Sequence, residues 1–166
     1  MADHFILSKE IAYQKIHRMA YEIVEQNVNE KQIILAGIKQ NGSVIATALY
    51  QFLKEIFKGE IKIIEIKIDK KDPKNISLSE EINFDNKVIL VVDDVANSGK
   101  TLLYALRPFL DFYPKKIQTL VLVERSYKEF PVSPDYVGLS VSTASTEKII
   151  VEVSKGEIER ATLNAS

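Results

Sequence analysis

Apolar residues are grouped along the chain into short runs, and the run at 88–92 holds five consecutive aliphatic residues. A run of this kind is typical of a strand that is buried on both faces of a parallel sheet. The run at 62–68 alternates isoleucine with charged residues, which indicates a strand near a sheet edge. Further apolar runs predict strands at 32–36, 117–123, 136–141 and 149–153.

Between these strands, apolar residues recur at three- and four-residue spacing, which predicts amphipathic helices. The predicted helices cover 8–28, with Ser8 as the N-cap, then 43–57 and 98–113. Pro108 interrupts the third pattern, so that helix either kinks or breaks in two there. Because strands alternate with helices, we expect an α/β fold, with a mainly parallel twisted sheet flanked by helices.

Two segments show neither the strand-like nor the helix-like spacing of apolar residues. Residues 69–86 are the most polar stretch and are interpreted as a long mobile arm that forms a partial hairpin. Residues 156–166 look like a frayed tail. The first helix and the last strands are expected to build a small hood over the carboxyl edge of the sheet, and residues 1–166 are expected to form a single domain. The apolar contacts of the arm are expected to be Ile76, Leu78, Ile82 and Phe84.

Two carboxylates, Asp93 and Asp94, stand at the end of the central predicted strand, and a small polar loop follows them. Open α/β sheets bind ligands at the carboxyl ends of their strands. The loop supplies backbone N–H groups, the hydroxyls of Ser98 and Thr101 and the start of a helix, which together favour an anion. An acidic pair that can hold a diol, beside a phosphate-binding loop, suits a phosphorylated sugar.

Other readings of this stretch are weaker. Gly99-Lys100-Thr101 resembles the end of a P-loop, but that motif requires glycine at position 94, where the chain has Asp94. The chain holds no Gly-x-Gly-x-x-Gly sequence, so a dinucleotide-binding fold has no support. The structural alternative is a solvated acidic pair that caps a helix, and it leaves the phosphate-type loop directly behind the pair unexplained.

The stretch at 87–101, KVILVVDDVANSGKT, resembles the phosphoribosyl-pyrophosphate signature of the type I phosphoribosyltransferases. The resemblance covers nearly the whole chain and implies the fold of those enzymes, in which a loop at the place of the 69–86 arm closes over the active site. Flanking motifs are similar to the family of pyrimidine-operon attenuators and uracil phosphoribosyltransferases: LAGIKQNG at 35–42, VLVER at 121–125, DYVG at 135–138 and TEKI at 146–149.

The resemblance also implies which residues meet the substrate, phosphoribosyl pyrophosphate. Asp93 and Asp94 would be catalytic and would accept hydrogen bonds from the ribose 2- and 3-hydroxyls. Segment 39–42 would hold the pyrophosphate, 96–101 would wrap the 5-phosphate, and 142–148 would meet the base. The predicted substrate-binding residues are Lys39, Gln40, Asn41, Gly42, Val95, Ala96, Asn97, Ser98, Gly99, Lys100, Thr101 and Arg125.

Several positions keep a second interpretation. A structural ion pair is the alternative for Arg125, and a solvated charge run is the alternative for Lys70, Lys71 and Lys74, which could otherwise approach pyrophosphate. The family typically carries arginine where this chain has Asn41, and asparagine brings no charge to a phosphate. The usual arginine at the start of the arm is replaced by lysine, which is a different ligand at a bidentate site.

The implied reaction transfers phosphoribose to a nitrogen of a base and releases pyrophosphate. Magnesium is expected to bind mainly through the pyrophosphate of the substrate, without a metal site made of protein side chains. Purine enzymes of this superfamily commonly carry an aspartate at the position of Asn97, where it takes a proton from the purine, and asparagine cannot act as that base. Asn97 therefore favours a pyrimidine or a different role over a purine, and the resemblance implies that the pyrimidine is uracil.

Two other functions stay open. Members of the resembled family can bind RNA as regulators, but RNA binding needs clustered Lys and Arg, and neither of the first two predicted helices carries a basic stripe. RNA regulation therefore ranks below the enzyme. A nucleotide sensor with weak or no turnover is the third interpretation, motivated by Asn41 and the lysines of the arm. A homodimer or a higher homo-oligomer is expected.

Composition and charge limit the class of protein without identifying its function. Apolar residues make up 46% of the chain and charged residues 27%, which is ordinary for a soluble globular protein. The chain has no cysteine, which excludes disulfides and thiolate metal sites. It shows no membrane-spanning apolar run and no signal peptide, so we expect a cytoplasmic protein. The net charge of −1 gives no overall attraction to nucleic acid.

Overall fold

The computed structural model describes residues 4–165. A short 3₁₀ helix, Arg107–Phe109, follows the third α-helix. In chain order the strands and α-helices are β1 (His4–Ser8), α1 (Lys9–Gln26), β2 (Gln32–Ile38), α2 (Asn41–Ile56), β3 (Glu60–Ile68), β4 (Ile76–Leu78), β5 (Val88–Ala96), α3 (Lys100–Ala105), β6 (Lys116–Arg125), β7 (Tyr136–Val141), β8 (Glu147–Ser154) and β9 (Glu157–Ala165).

The central sheet has six strands in the order β4-β3-β2-β5-β6-β7. All neighbours run parallel except β4, which is antiparallel to β3. Strand β5 lies in the interior of this sheet, between β2 and β6. Because parallel strands end at the same edge, the loops after β2, β5 and β6 meet on one side of the sheet. The predicted α/β fold with a mainly parallel sheet is confirmed.

Alternate residues of the inner strands face opposite sides of the sheet, and each side has its own core. Leu35 and Leu90 pack with the buried faces of α1 and α2 on one side. Ala36 and Val91 pack with α3, the 3₁₀ helix and Phe84 on the other side. Both faces of β5 are therefore covered, which explains why its sequence is continuously aliphatic instead of alternating.

Helix α1 begins where the sequence predicts. The backbone N–H of Ile11 donates to the Ser8 hydroxyl at 3.2 Å, so Ser8 is the N-cap. The buried residues of the helix pack beside α2 over the sheet, so α1 belongs to the layer that covers the sheet. Tyr13 links this layer to the hood, because its hydroxyl accepts a hydrogen bond from the backbone N–H of Ile158 at 3.3 Å.

The third predicted helix breaks in two instead of kinking. Helix α3 ends at Ala105, and the 3₁₀ helix that holds Pro108 follows it. Proline lacks the N–H that an α-helix needs in its interior, so the tighter turn replaces the α-helix at this point. Phe109 is fully buried there, with its ring edge-to-face against Phe84 at a centroid distance of 4.9 Å.

The polar 69–86 segment contains the predicted partial hairpin. Strand β4 pairs antiparallel with the end of β3, with Leu78 opposite Ile66 and Ile76 opposite Ile68. The four apolar residues that the sequence singled out all join the core behind α3. The second half of the arm therefore packs against the sheet, and its first half is a turn that directly follows the carboxyl end of β3.

The prediction of a frayed tail at 156–166 is wrong for its described part. Strand β9 pairs with β8 on one side and with β1 on the other, which gives a three-stranded antiparallel hood. Lys155 and Gly156 have φ of 52° and 74°, and two successive positive φ values are typical of a two-residue hairpin turn. Neither β1 nor β9 was predicted from the sequence; β9 is the partner of both β1 and β8, and this pairing exists only in the folded sheet.

None of the helices in the described part of the chain is long and apolar enough to cross a membrane.

Candidate active site

The carboxyl end of β5 carries the acidic pair. Asp93 and Asp94 are 6% and 7% exposed, so both carboxyl groups are buried. One oxygen of Asp94 accepts from Nδ2 of Asn41 at 2.9 Å, and the other accepts from the backbone N–H of Val95 at 2.8 Å. Oδ1 of Asp93 accepts from the backbone N–H of Asp94 at 2.8 Å. The pair is thus held in a fixed orientation by the chain around it.

Burial raises the pKa of Asp93 well above its usual range, and the neighbouring charge of Asp94 raises it further. The charge of Lys70 acts in the opposite direction and lowers this pKa. The pair therefore resists carrying two negative charges at once. A ligand that donates hydrogen bonds or brings positive charge would relieve that cost.

The loop between β5 and α3 forms the floor of a depression lined by Lys70 and by residues 93–102. Gly99 has φ of 88°, a conformation that an L-residue rarely adopts, and it turns the chain from the strand into the helix. The Ser98 hydroxyl accepts from the backbone N–H of Lys100 at 3.3 Å. The hydroxyl of Thr101 belongs to the lining as well.

This loop is supported from behind by the segment after β6. The backbone N–H groups of Glu129 and Phe130 both donate to the carbonyl of Ser98, at 3.0 and 3.1 Å. A methyl group added to Gly99 would approach the carbonyl oxygen of Phe130 to 3.3 Å. The back of the loop is therefore packed, which leaves its other side for a ligand.

A second depression adjoins the first and is made by the loop between β2 and α2. Its lining residues are Lys39, Gln40, Asn41, Ile68, Lys70, Asp93 and Asp94.

Helix α2 begins at Asn41 and not at residue 43, so Asn41 and Gly42 lie in its first turn. A Cβ atom on Gly42 would lie 2.5 Å from the carbonyl oxygen of Val92, which is too close for any side chain. Glycine at this position therefore lets the first turn of α2 approach the end of β5, next to Asp93.

Of the three arm lysines, only Lys70 lines these two depressions, and it lines both. Lys71 instead follows a tight turn, in which its backbone N–H donates to Oδ1 of Asp69 at 2.9 Å. The backbone carbonyl of Lys74 accepts from Arg107 at 3.5 Å.

Arg125 lies outside the residues that line the depressions. It is 5% exposed, and its Nε donates to the Thr143 hydroxyl at 2.9 Å while Nη2 donates to the carbonyl of Ala144 at 3.1 Å. Its guanidinium group also lies over the ring of Tyr127, 5.3 Å from the centroid. These contacts fix the start of the 142–148 segment, and none of them is the ion pair that was the alternative.

The hood reaches the site through backbone groups that the sequence analysis missed. Nδ2 of Asn97 donates to the carbonyl of Ile149 at 3.1 Å, and the N–H of Ile149 donates back to Oδ1 of Asn97 at 3.0 Å. Nδ2 of Asn41 donates to the carbonyl of Val151 at 3.0 Å. A backbone group can belong to any residue type, so the sequence gives no sign that Ile149 and Val151 are the partners, and only the fold identifies them.

A mainly parallel sheet with an acidic pair and two polar loops at its carboxyl edge, under a small antiparallel hood, defines the type I phosphoribosyltransferases. The family model described as phosphoribosyl transferase domain matches residues 5–155 of the chain.

The curated relatives are more specific. The chain is 35% identical over 147 residues to a protein of Enterococcus faecalis named bifunctional protein pyrR, which covers 83% of each chain. It is 30% identical over 159 residues to the bifunctional protein PyrR of Haemophilus ducreyi, covering 90% of this chain and 89% of the relative. The protein therefore belongs to the phosphoribosyl transferase family and, within it, to the PyrR family.

Solved structures support the fold. A hypoxanthine-guanine phosphoribosyltransferase from Bacillus anthracis superposes with a TM-score of 0.74 at 19% identity and covers 95% of this chain and 96% of its own. A hypoxanthine phosphoribosyltransferase from Trypanosoma cruzi superposes with a TM-score of 0.79 at 16% identity, and the superposition covers 94% of this chain and 82% of the other. At these identities the likeness concerns the fold and not the base.

Proposed function

We propose that this phosphoribosyltransferase transfers phosphoribose from phosphoribosyl pyrophosphate to uracil. The observation that carries the proposal is the meeting of three features in one cleft: the buried acidic pair, the 97–101 loop, and the 39–42 loop. Asp93 and Asp94 accept hydrogen bonds from the ribose hydroxyls, the 97–101 loop holds the 5-phosphate, and the 39–42 loop with Lys70 holds the pyrophosphate.

The acidic pair has a chemical role beyond binding. Breaking the bond between the sugar and pyrophosphate builds positive charge on the ribose ring. Buried carboxylates that are already oriented stabilise this charge without reorganisation, and a low-dielectric site strengthens the effect. Asp94 is oriented by Asn41 and Val95, so the stabilising oxygens are in place before the substrate binds.

Magnesium fits this donor set only together with the substrate. Within residues 4–165, no three His, Cys, Asp or Glu side chains gather closely enough to hold a metal ion. Asp93 and Asp94 offer carboxylate oxygens, which are hard ligands that suit magnesium, and pyrophosphate and ribose oxygens would complete the shell. Bound there, magnesium would neutralise charge on the leaving pyrophosphate.

Uracil is favoured because Asn97 cannot accept a proton from a purine nitrogen. Its amide is also engaged with both backbone groups of Ile149, at 3.1 and 3.0 Å, so the side chain is directed at the hood. The base would lie between the 97–101 loop and the 142–148 segment, which Arg125 supports.

The test is a product assay with magnesium, phosphoribosyl pyrophosphate and a panel of uracil, cytosine, hypoxanthine, guanine and adenine. The expected result is uridine monophosphate from uracil and little product from the purines. Nucleotide formed from a purine in preference to uracil contradicts the base assignment. No nucleotide from any base contradicts turnover, and tight binding of uridine monophosphate in that case would support the sensor.

A regulatory role in RNA binding is the second candidate, favoured by similarity to proteins that are named bifunctional. Such a role predicts sequence-selective RNA binding that changes when a uridine nucleotide is added. Binding that is equal for unrelated RNAs and falls steeply with salt would be only phosphate attraction and would count against it.

A homodimer is proposed as the working assembly. Helix α1 and its following turn expose Tyr21 at 55% and Val28 at 69%, apolar surface of the kind that an interface covers. Light scattering at micromolar concentration should give about twice the mass of the chain, and a monomer would contradict the proposal.

A further inference from the structure

Two asparagines reach from the two substrate loops to the same strand of the hood. Asn97 pairs with both backbone groups of Ile149, and Asn41 donates to the carbonyl of Val151 at 3.0 Å. Ile149 and Val151 are two residues apart on β8, so their backbone groups point to the same side of the strand.

That side of β8 is the open edge of the hood. The order of the hood sheet is β1-β9-β8, so within residues 4–165 β8 has a strand on one side only. In an antiparallel pair, residues alternate between those that bond to the partner strand and those that face away. Because Ile149 faces Asn97, its neighbour Ile150, which lies opposite Thr162, is the residue that bonds to β9. The side-chain amides thus supply partners that a further strand would otherwise supply.

Asn41 extends this connection to the acidic pair. Its Nδ2 carries two hydrogens, and it donates to Oδ2 of Asp94 at 2.9 Å as well as to the carbonyl of Val151. One side chain therefore bridges the carboxylate that meets ribose and the strand that borders the base.

At both positions this chain departs from a pattern of the resembled enzymes, which carry arginine at the place of Asn41 and, in the purine enzymes, aspartate at the place of Asn97. An arginine in place of Asn41 is longer and charged, and an aspartate in place of Asn97 cannot donate to the carbonyl of Ile149. Each amide has both the length and the donor that its contact requires. The two departures therefore have one structural explanation.

We propose that Asn41 and Asn97 are positioning residues that fix β8 to the two phosphate-binding loops and thereby set the spacing between the ribose site and the base site. The part of this inference that concerns the base rests on the proposed transferase function. The attachment of the strand does not, and it can be tested on the protein alone.

The first experiment is residue-resolved amide hydrogen exchange by NMR on the full chain. In Asn97→Ala, the amide of Ile149 should exchange about tenfold faster, because its hydrogen bond is lost. The amide of Ile150 should be nearly unchanged, since it faces β9, and this also shows that the variant is folded. Asn29→Ala, an exposed asparagine at the opposite edge of the sheet, is the matched control. Unchanged exchange at Ile149 in Asn97→Ala would overturn the proposal.

Asn41→Ala provides a second variant. It removes the contact with Val151 and leaves Asn97 in place, so exchange at Ile149 should rise by less than in Asn97→Ala. If the two asparagines hold the strand jointly, the increase in the Ile149 exchange rate in the double variant should differ from the product of the increases in the two single variants. Independent, multiplicative effects would mean two unrelated contacts and would overturn the joint role.

The second experiment compares two affinities by calorimetry, those for uridine monophosphate and phosphoribosyl pyrophosphate with magnesium. In Asn97→Ala the nucleotide affinity should fall several-fold more than the phosphoribosyl pyrophosphate affinity, because only the nucleotide carries the base. Equal losses would overturn the role in base spacing. If the unmodified protein binds neither ligand, the proposed function fails. The exchange experiment still decides whether Asn41 and Asn97 fix β8 to the two loops.

Discussion

The central sheet and the hood differ at the strands that border the active site. Strand β5 is buried on both faces, and its residues pack into two separate apolar cores. Within residues 4–165, strand β8 has a neighbouring strand on one side. At its other edge, its backbone is hydrogen-bonded to the side chains of Asn41 and Asn97. Ile149 and Val151 are themselves buried in the apolar core that α1 and α2 share with β5, so packing holds both regions. The difference lies at the outer edge of β8, which polar side chains join to the active-site loops.

This difference has a functional consequence. Apolar packing over two faces tolerates little displacement, so the acidic pair and the phosphate loop keep their geometry. The outer edge of β8 is joined to the loops by side-chain amides, and single substitutions can loosen this edge, because each neutral hydrogen bond contributes only about 0.5–1.5 kcal/mol. Base preference should therefore be easier to alter than the handling of the phosphoribosyl group.

The largest expected effect tests the central sheet. Asp93→Asn and Asp94→Asn should each lower the maximal rate with uracil by about 100- to 1000-fold, since an amide offers no negative charge to the cationic sugar. The substrate binding constant should change much less, because an amide oxygen still accepts from a ribose hydroxyl. Steady-state kinetics gives both quantities, and Asp111→Asn, at an exposed aspartate, is the control. Equal losses in binding and rate would make the pair a ligand holder.

The next effect concerns the phosphate loop. Ser98→Ala and Thr101→Ala should each weaken binding of phosphoribosyl pyrophosphate by about 1.5–3 kcal/mol, because each removes a hydrogen bond to a charged phosphate. Calorimetry measures the loss, and Ser77→Ala, an exposed serine on β4, should bind as the unmodified protein does. Unchanged affinity in both loop variants would contradict the assignment of this loop as the 5-phosphate site.

Two glycine substitutions test the central sheet and the hood separately. Gly42→Ala would set a methyl group 2.5 Å from the carbonyl oxygen of Val92, so the free energy of unfolding should fall by about 1–3 kcal/mol and activity should fall with it. Gly156→Ala meets no atom within 4 Å, but its φ of 74° should cost about 1–2 kcal/mol of stability with activity retained. Urea unfolding and the product assay distinguish the two. Loss of activity in Gly156→Ala would mean that the hood turn influences the site.

The smallest expected effect is a dependence of stability on pH. The pKa of Asp93 is raised in the folded state, so the unfolded chain loses this proton first as pH rises through about 4. The contribution of Asp93 to stability is therefore highest at low pH and falls as pH rises toward the folded pKa. Asp93→Asn should unfold at a higher temperature than the unmodified protein at neutral pH. A lower melting temperature there would contradict the burial cost assigned to this carboxyl.

The sequence was informative where local pattern coincides with tertiary role. The aliphatic run before Asp93 predicted both the buried strand and the edge at which ligands bind, and Ser8 predicted the start of α1. The hairpin in the arm followed from its spaced apolar residues. In each case the signal lies within a few consecutive residues, so no knowledge of distant contacts was needed.

The sequence could not assign β1 and β9, because β1 runs directly into α1 and β9 mixes charged with apolar residues, so each is recognisable as a strand only from its pairing. The roles of Arg125 and Asn97 were hidden for a related reason. Arg125 bonds to the 143–144 segment and Asn97 to the backbone of Ile149, and a backbone partner leaves no mark on residue identity.

The sequence by itself determined the main strands and helices of the central α/β layer, the acidic pair and the phosphate loop, because hydrophobic periodicity and short motifs encode them locally. Only the tertiary structure decided which loops meet, that α3 breaks at Pro108, and that the hood closes on the site through Asn41 and Asn97. Those features depend on contacts between residues far apart in the chain, such as Asn97 and Ile149, and such contacts exist only after folding brings the segments together.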